Sequence, residues 1–471
     1  MSRSSHLYQS IPSSHGSWLS HYSQTILLAV PLIVGQVAMI SIWTADIVMM
    51  GWISTDALAA GTQANRLYQP LYFIAIGLTI AVSPLTSQAL GAMRRRQARR
   101  VVRQGIWLAI IYGIITIIPM WNGEPLLLML GQDPEIAKDA DLFLKTSAPG
   151  MLPAYIYMVL RHYISAHKRP MPPVVVTSIG VVVNIFLNWV FIHGHFGAPA
   201  LGLAGIGVAT SITFAMMATA LALYIHTQKP FKFTRPFARF YRFDGKVMRQ
   251  LLIVGLPIGV MLLAETGMFI VAGLYIGLYG KVAVAASGIA NQVAAVAYMV
   301  PLAVSQAATI RVGHEAGADK PSQAIRAGIA ATMLTLFVTL VLTVILLVAD
   351  EMMVGLFLNL DDPLYDAVLT IALPMLFVVA IFQCVDGLQA VFSSILRGIN
   401  DTRWPAGISV FSYWCIGMAS GIFLADVMDW GPIGVWWGLF NGLTAGTILL
   451  LARCLLTVHK IKRDGHISLG A

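Results

Sequence analysis

Residues 367–396 read AVLTIALPMLFVVAIFQCVDGLQAVFSSIL and hold a single charged side chain, Asp386. At about 1.5 Å per residue, a helix of this length exceeds the roughly 30 Å hydrocarbon core of a bilayer, which about 20 apolar residues suffice to cross. The stretch reads as a membrane span. A carboxylate near the middle of such a span costs about 2.5–3.5 kcal/mol on insertion scales, so Asp386 is a functional-site candidate.

Eleven further apolar runs of similar kind lie along the chain, giving twelve expected spans near residues 24–50, 58–86, 102–120, 141–164, 172–192, 201–226, 248–278, 283–309, 325–348, 366–396, 405–425 and 432–457. The 471 residues are 58% hydrophobic and 11% charged, against roughly a quarter charged in a soluble domain, which excludes a soluble fold. The polar start, residues 1–23, precedes a run too long for a signal-peptide core, so an uncleaved first span is expected. Cys384, Cys415 and Cys454 sit in separate apolar runs without CxxC spacing and argue for neither a disulfide framework nor a metal site.

The net charge of +9 does not require a nucleic-acid partner once its distribution is read. With the N-terminus assigned to the cytoplasm, 26 of the 30 Lys and Arg fall on that side, six of them between Arg94 and Arg103 and seven between Lys229 and Arg249. The positive-inside rule is met loop after loop, so the basic charge reports topology. Both termini are expected in the cytoplasm of a bacterial inner-membrane protein.

The chain repeats at an offset of 226: Pro31 recurs as Pro257, AAGTQAN from Ala59 recurs as AASGIAN from Ala285, and LGA ending at Ala92 recurs as AGA ending at Ala318. Six spans per half is an even number, so the halves are expected to enter from the same side, related by a pseudo-twofold axis along the membrane normal. The expectation is an all-α polytopic protein of two six-helix lobes. Its expected segments are a tail over 1–23, an N-lobe over 24–226, a linker over 227–247, a C-lobe over 248–457 and a tail over 458–471. A phosphate-cradling loop is missing: YIGLYGK, ending at Lys281, lacks the first glycine of the GxxxxGK spacing. Any work is therefore expected to draw on an ion gradient.

Three carboxylates, Asp46, Glu265 and Asp386, lie well inside apolar runs, and no basic residue is central in any span; Arg397 is expected to snorkel to the cytoplasm. A buried carboxylate without a resident counter-ion can take up a proton, a metal ion or an organic cation, one excluding the others. Asn184 and Asn188 share a helix face and, with Thr210, fall at a depth comparable to Asp46. These oxygens suit a hard monovalent cation, and asparagines that simply bond between helices fit the spacing equally well. Asp386, Gln389, Ser393 and Arg397 form one polar stripe expected to face a central cleft, with Glu265 looking into the same space. Phe382, one turn before Asp386, offers a ring for a cation or for packing. His162, His167 and His314 read as solvated or headgroup-facing.

TADIVMMG (44–51), VNIFLNWVFIHGHFG (183–197), LLAETGMF (262–269), ATIRVGHEAG (308–317) and FQCVDGLQAVFSSILRGINDTR (382–403) resemble segments of the multidrug and toxic compound extrusion (MATE) transporters, in their NorM-like branch. The resemblance implies export of cationic, often aromatic, drugs or dyes in exchange for Na⁺ or H⁺ by alternating access, without enzymatic chemistry or a cofactor. It implies a cation-coupling site in the N-lobe at Asp46, Asn184, Asn188 and Thr210. A cation and substrate site is implied in the C-lobe at Glu265 and Asp386, with Gln389 and Phe382 beside them. Na⁺ would sit at Asp46 or between Glu265 and Asp386. Where related members often carry Tyr, this chain has Phe382. A monomer among membrane lipids is expected. Two rivals stand beside this reading. A lipid-precursor flippase of related two-lobe design would line its cavity with basic residues, and a polytopic intramembrane enzyme would carry a GxGD or HExxH pattern; the chain shows neither feature.

Overall fold

The computed structural model describes residues 18–229, 231, 236–355, 357 and 365–467. Most of the expected N-terminal tail, five linker positions (230 and 232–235) and the last four residues lie outside the described residues. No strand occurs among the described residues, and twelve long helices account for the twelve apolar runs. They are α1 (Trp18–Ile53), α2 (Thr55–Gly91), α3 (Arg95–Trp121), α4 (Pro134–Ala166), α5 (Met171–His193), α6 (Leu203–Thr227), α7 (Gly245–Tyr279), α8 (Lys281–Gly317), α9 (Pro321–Val348), α10 (Tyr365–Gly398), α11 (Arg403–Val427) and α12 (Pro432–Asp464).

Local chemistry sets the helix ends. Ser54 caps α2 by accepting the Ala57 N–H at 3.0 Å, and Asp133 caps α4 by accepting the Glu135 N–H at 2.9 Å. Proline occupies the first position of α4, α9 and α12, where its missing N–H has no helical partner to lose. Gly202 and Gly431 enter α6 and α12 with φ of 56° and 58°, a conformation costly for any side chain. Equivalent corners in the two halves thus use the same residue.

Eleven of the helices are long and apolar enough to cross a membrane by composition. The twelfth, α4, matches the expected 141–164 run but is more polar, with Asp139, Asp141, Lys145 and Ser147 in its first half. It packs mainly on α6, α2 and α3 and buries Tyr155, Tyr157 and Tyr163 among its neighbours. A helix wrapped by protein does not need an oily surface. Lipid-type surface is found instead on helices such as α9, where Phe337, Leu340 and Val344 are exposed along one side.

The chain divides into two compact units whose boundaries differ from the expected 24–226 and 248–457. Among the described residues, unit 1 holds Val34–Gly259, and unit 2 holds residues 18–33 together with Val260 onward. The divisions fall inside α1 and α7, two residues beyond Pro31 and Pro257. The first half of α1 therefore packs in unit 2, where Leu28, Ala29 and Leu32 form a small core with Ala303, Val304, Ala307 and Ile310. Arg311 fixes the same half-helix: it donates to the His21 carbonyl at 2.7 Å, to Thr25 Oγ1 and to His21 Nδ1 at 2.7 Å. The first half of α7 packs in unit 1, where Gly255 and Gly259 lie against the backbone of α2 around Ile74, Gly77 and Leu78. A GxxxG spacing lets helix backbones approach this closely.

Candidate functional site

In unit 1, the structure brings together all four residues expected there. Asp46, on α1, is 5% exposed, and Asn184, Asn188 and Thr210 are buried around it. Asp46 Oδ1 accepts from Asn188 Nδ2 at 2.7 Å and its Oδ2 accepts from Thr210 Oγ1 at 2.9 Å. Asn184 Nδ2 donates to Thr210 Oγ1 at 3.2 Å, and Asn188 Nδ2 also reaches Asn184 Oδ1 at 3.3 Å. The four-residue spacing on α5 sets both amides on the face toward α1 and α6. Asn188 Oδ1 is buried without a hydrogen-bond partner, so a lone pair is left over in a cluster already rich in oxygen. The donor set is hard and uncharged apart from one carboxylate, which fits a monovalent cation.

An aromatic cluster lies beside this site and was not singled out in the sequence. Trp43, one turn before Asp46, stacks on Tyr68 with centroids 5.7 Å apart and meets Tyr72 edge-on at 5.3 Å. Tyr72 continues to Tyr155 at 6.5 Å, and Tyr155 to Tyr112 at 5.9 Å. Tyr68 is near enough to Asp46 to feel its charge. Sequence spacing could have flagged Trp43, three residues from Asp46, but the tyrosines come from other helices.

In unit 2, Glu265 on α7 and Asp386 on α10 lie within electrostatic reach of one another, and Tyr298 and Tyr413 are near both. Asp386 is 7% exposed and Glu265 is partly buried. Gln389, one turn beyond Asp386, donates to the Tyr413 hydroxyl at 2.5 Å, and its Oε1 is buried without a partner. Tyr413 sits in a π-helical segment of α11, Ser412–Met418, a backbone form often found at functional sites. Ser393 donates to Met261 Sδ at 3.6 Å.

Among the described residues, ion pairs join Arg100 to Asp244, Lys145 to Asp141, Arg453 to Asp401 and Arg463 to Asp464. None involves Asp46, Glu265 or Asp386. Two expectations, those for Arg397 and His167, differ from the structure, and Phe382 takes the packing reading of the two it offered. Arg397 does not snorkel outward: it is 8% exposed and lies within electrostatic reach of Glu265 and Tyr298. Its guanidinium tempers the charge of Glu265 without forming an ion pair among the described residues. Phe382 belongs to the apolar core of unit 2 and meets Trp436 edge-on at 6.3 Å; its ring is engaged in packing. His167 is only partly exposed: it lies against Tyr163 and Phe231, with centroids 4.5 and 4.7 Å away, and Nδ1 bonds the Tyr163 carbonyl at 2.9 Å. Burial pushes its pKa down from the ordinary 6.5 to about 4.

Membrane-length helices in two units, with Asp46 in one and Glu265 and Asp386 in the other outside every ion pair found among the described residues, fit a polytopic membrane transporter. The MatE family model matches twice, over residues 31–190 and 257–423, each match beginning at one of the repeated prolines. The chain is 37% identical over 441 residues to "Probable multidrug resistance protein NorM" of Mesorhizobium japonicum, covering 93% of this chain and 94% of that one. It is 36% identical over 457 residues to the protein of the same name from Agrobacterium fabrum, covering 97% and 98%. Among solved structures, the eukaryotic MATE transporter AtDTX14 superposes with a TM-score of 0.84 at 22% identity, covering 95% of this chain and 98% of that one. A MATE protein in complex with MaL6 superposes with a TM-score of 0.86 at 17% identity, covering 94% and 97%. The chain belongs to the MATE family. It is a multi-pass transporter of the bacterial inner membrane, not an enzyme.

Proposed function

We propose that this protein is a secondary multidrug efflux antiporter that exports cationic amphipathic compounds in exchange for Na⁺ or H⁺ by alternating access, with both termini in the cytoplasm. The observation that carries the reading is the burial of Asp46 and Asp386 and the part-burial of Glu265, none of them in an ion pair among the described residues. A carboxylate in low dielectric is stable when protonated or when a cation sits beside it, and the exchange of one for the other is the elementary step of antiport.

At Asp46, the Asn188 amide and Thr210 hydroxyl stabilise the ionised form between turnovers. An arriving cation takes its ligands from the carboxylate, from Asn184 Oδ1 and from the unpartnered Asn188 Oδ1. At Glu265 and Asp386, two acids near one another disfavour double ionisation, so one positive charge, a drug or a coupling ion, relieves the repulsion. Arg397 near Glu265 limits the total positive charge that this pair can accept. Entry of net positive charge gains about 2.3 kcal/mol per charge per 100 mV of membrane potential.

The test is efflux of ethidium from proteoliposomes under separately imposed Na⁺ and pH gradients. Wild-type protein should respond to one gradient at least, and Asp386→Asn should abolish the response while the protein still purifies as a folded species. Gradient-driven efflux at the wild-type rate by Asp386→Asn would remove this residue from the mechanism.

A further inference from the structure

At the end of unit 1 that bears the basic loops, a cavity of about 580 Å³ is lined by six cations, Arg99, Arg100 and Arg103 from α3, Arg239 and Arg242 from the linker, and Lys246 from the start of α7. One carboxylate, Asp244, shares the lining; its Oδ1 accepts the Val247 N–H at 3.3 Å, capping α7, and its Oδ2 lies 3.7 Å from Arg100. The walls are fixed by α3. Arg103 Nη1 donates to the Arg239 carbonyl at 3.0 Å, Gln104 to the Arg242 carbonyl at 3.1 Å and Trp107 to the Phe240 carbonyl at 2.9 Å. The Trp107 ring also stacks on Phe240 with centroids 5.2 Å apart.

Arg103 is 5% exposed, and its Nε, like that of Arg99, is buried without a hydrogen-bond partner. The positive-inside rule is satisfied by exposed side chains such as Arg94 and Arg96 and does not demand that guanidiniums converge on one cavity or that one of them, Arg103, be buried. A buried guanidinium with an idle N–H opposes folding until an acceptor supplies the missing lone pair, and an anionic oxygen supplies it together with the opposite charge. Arginine forks match phosphate oxygens in pairs.

We propose that this cavity is a binding site for a polyanionic phosphate group, carried by an acidic lipid headgroup or by a soluble phosphate compound. The excess of five positive charges over the one carboxylate suits a ligand bearing two phosphates. Such a ligand would tie α3, the linker and the start of α7 together at the end of unit 1. The site lies apart from the carboxylate clusters, and it stands whatever the coupling ion or exported compound.

The full chain, purified in a neutral detergent, is titrated with tetraoleoyl cardiolipin and, in parallel, with inorganic pyrophosphate, following bound copies by native mass spectrometry and stabilisation by thermal melting. At least one probe should bind and raise the melting temperature. Its apparent affinity should fall at least about tenfold in Arg99→Gln/Arg242→Gln and stay within about twofold of wild type in Arg94→Gln/Arg96→Gln, which removes as much charge outside the cavity. Arg100→Gln/Lys246→Gln, at two exposed lining positions, carries the same test if the first pair does not fold. Cardiolipin without pyrophosphate assigns the site to lipid, and pyrophosphate without cardiolipin assigns it to a soluble phosphate. Binding of neither probe, or equal losses in the cavity variants and the Arg94/Arg96 variant, would overturn the proposal.

Discussion

Thr210 shows how much one hydroxyl does at the Asp46 cluster. It accepts from Asn184 and donates to Asp46 Oδ2, so its proton is committed to the carboxylate. Hydrogen bonds to charged groups contribute about 1.5–3 kcal/mol. Thr210→Val should therefore shift the Na⁺ or H⁺ concentration for half-maximal efflux by about tenfold or more, and Thr210→Ser should restore the wild-type value; identical titrations for all three proteins would exclude a role for the hydroxyl. Phe382 calls for the opposite result. Held in the core against Trp436, its truncation to Ala should cost about 3–5 kcal/mol of stability, read as an earlier thermal transition, while Phe382→Leu should keep efflux within about twofold. That Asp46, Asn184, Asn188 and Thr210 meet was legible from depth and spacing because each is a polar group in an oily helix. Tyr298, Tyr413 and the Trp43 cluster were not, since an aromatic at helical spacing looks the same in a site as in a core. Arg397 was misread for a related reason: a sequence records its distance to the membrane surface but not its burial.

At the scale of elements, the twelve apolar runs each found their helix, and α4 shows the limit of the method, since a helix enclosed by protein can be polar where one facing lipid cannot. Close helix crossings were less visible. A Cβ at Gly77 would strike the Gly259 backbone, whereas at Gly273 it would meet nothing within 4 Å. Gly77→Val should accordingly destabilise by about 1–3 kcal/mol through overpacking, and Gly273→Val should leave the melting temperature nearly unchanged. The end of α4 carries a pH effect. His167 holds a proton more weakly in the fold than in the unfolded chain, so stability is fully present above its ordinary pKa of 6.5 and declines as pH falls toward about 4. Melting curves from pH 8 to 4.5 should show wild type losing more stability than His167→Asn; parallel losses would assign the acid sensitivity to other groups.

At the scale of the whole molecule, the duplication was readable as a spacing of 226, and the family match restarting at Pro257 follows the same register. What the repeat could not reveal is that each compact unit includes half a helix from the other half of the sequence. Core membership depends on contacts hundreds of residues apart, and a repeated motif is silent about them. Neither half of a chain cut within 230–235 should therefore yield a monodisperse protein when expressed alone, and the two expressed together should. A stable N-terminal half on its own would show that the first half of α7 is dispensable to unit 1.

The clasp between Arg311 and residues 21–25 has a temporal side. His21 leaves the ribosome 290 residues ahead of Arg311, which at about 5–20 residues per second amounts to roughly 15–60 s of synthesis. During that interval the opening half of α1 is in the bilayer with its His21 carbonyl and apolar stripe without their partners from α8, available to insertion machinery or to neighbouring nascent chains. The opening half of α7 waits for nothing, because the helices that receive it have already been made. Biogenesis of this protein is thus lopsided despite its repeated architecture, and the first half-helix is where a slowed or interrupted translation would do the most harm.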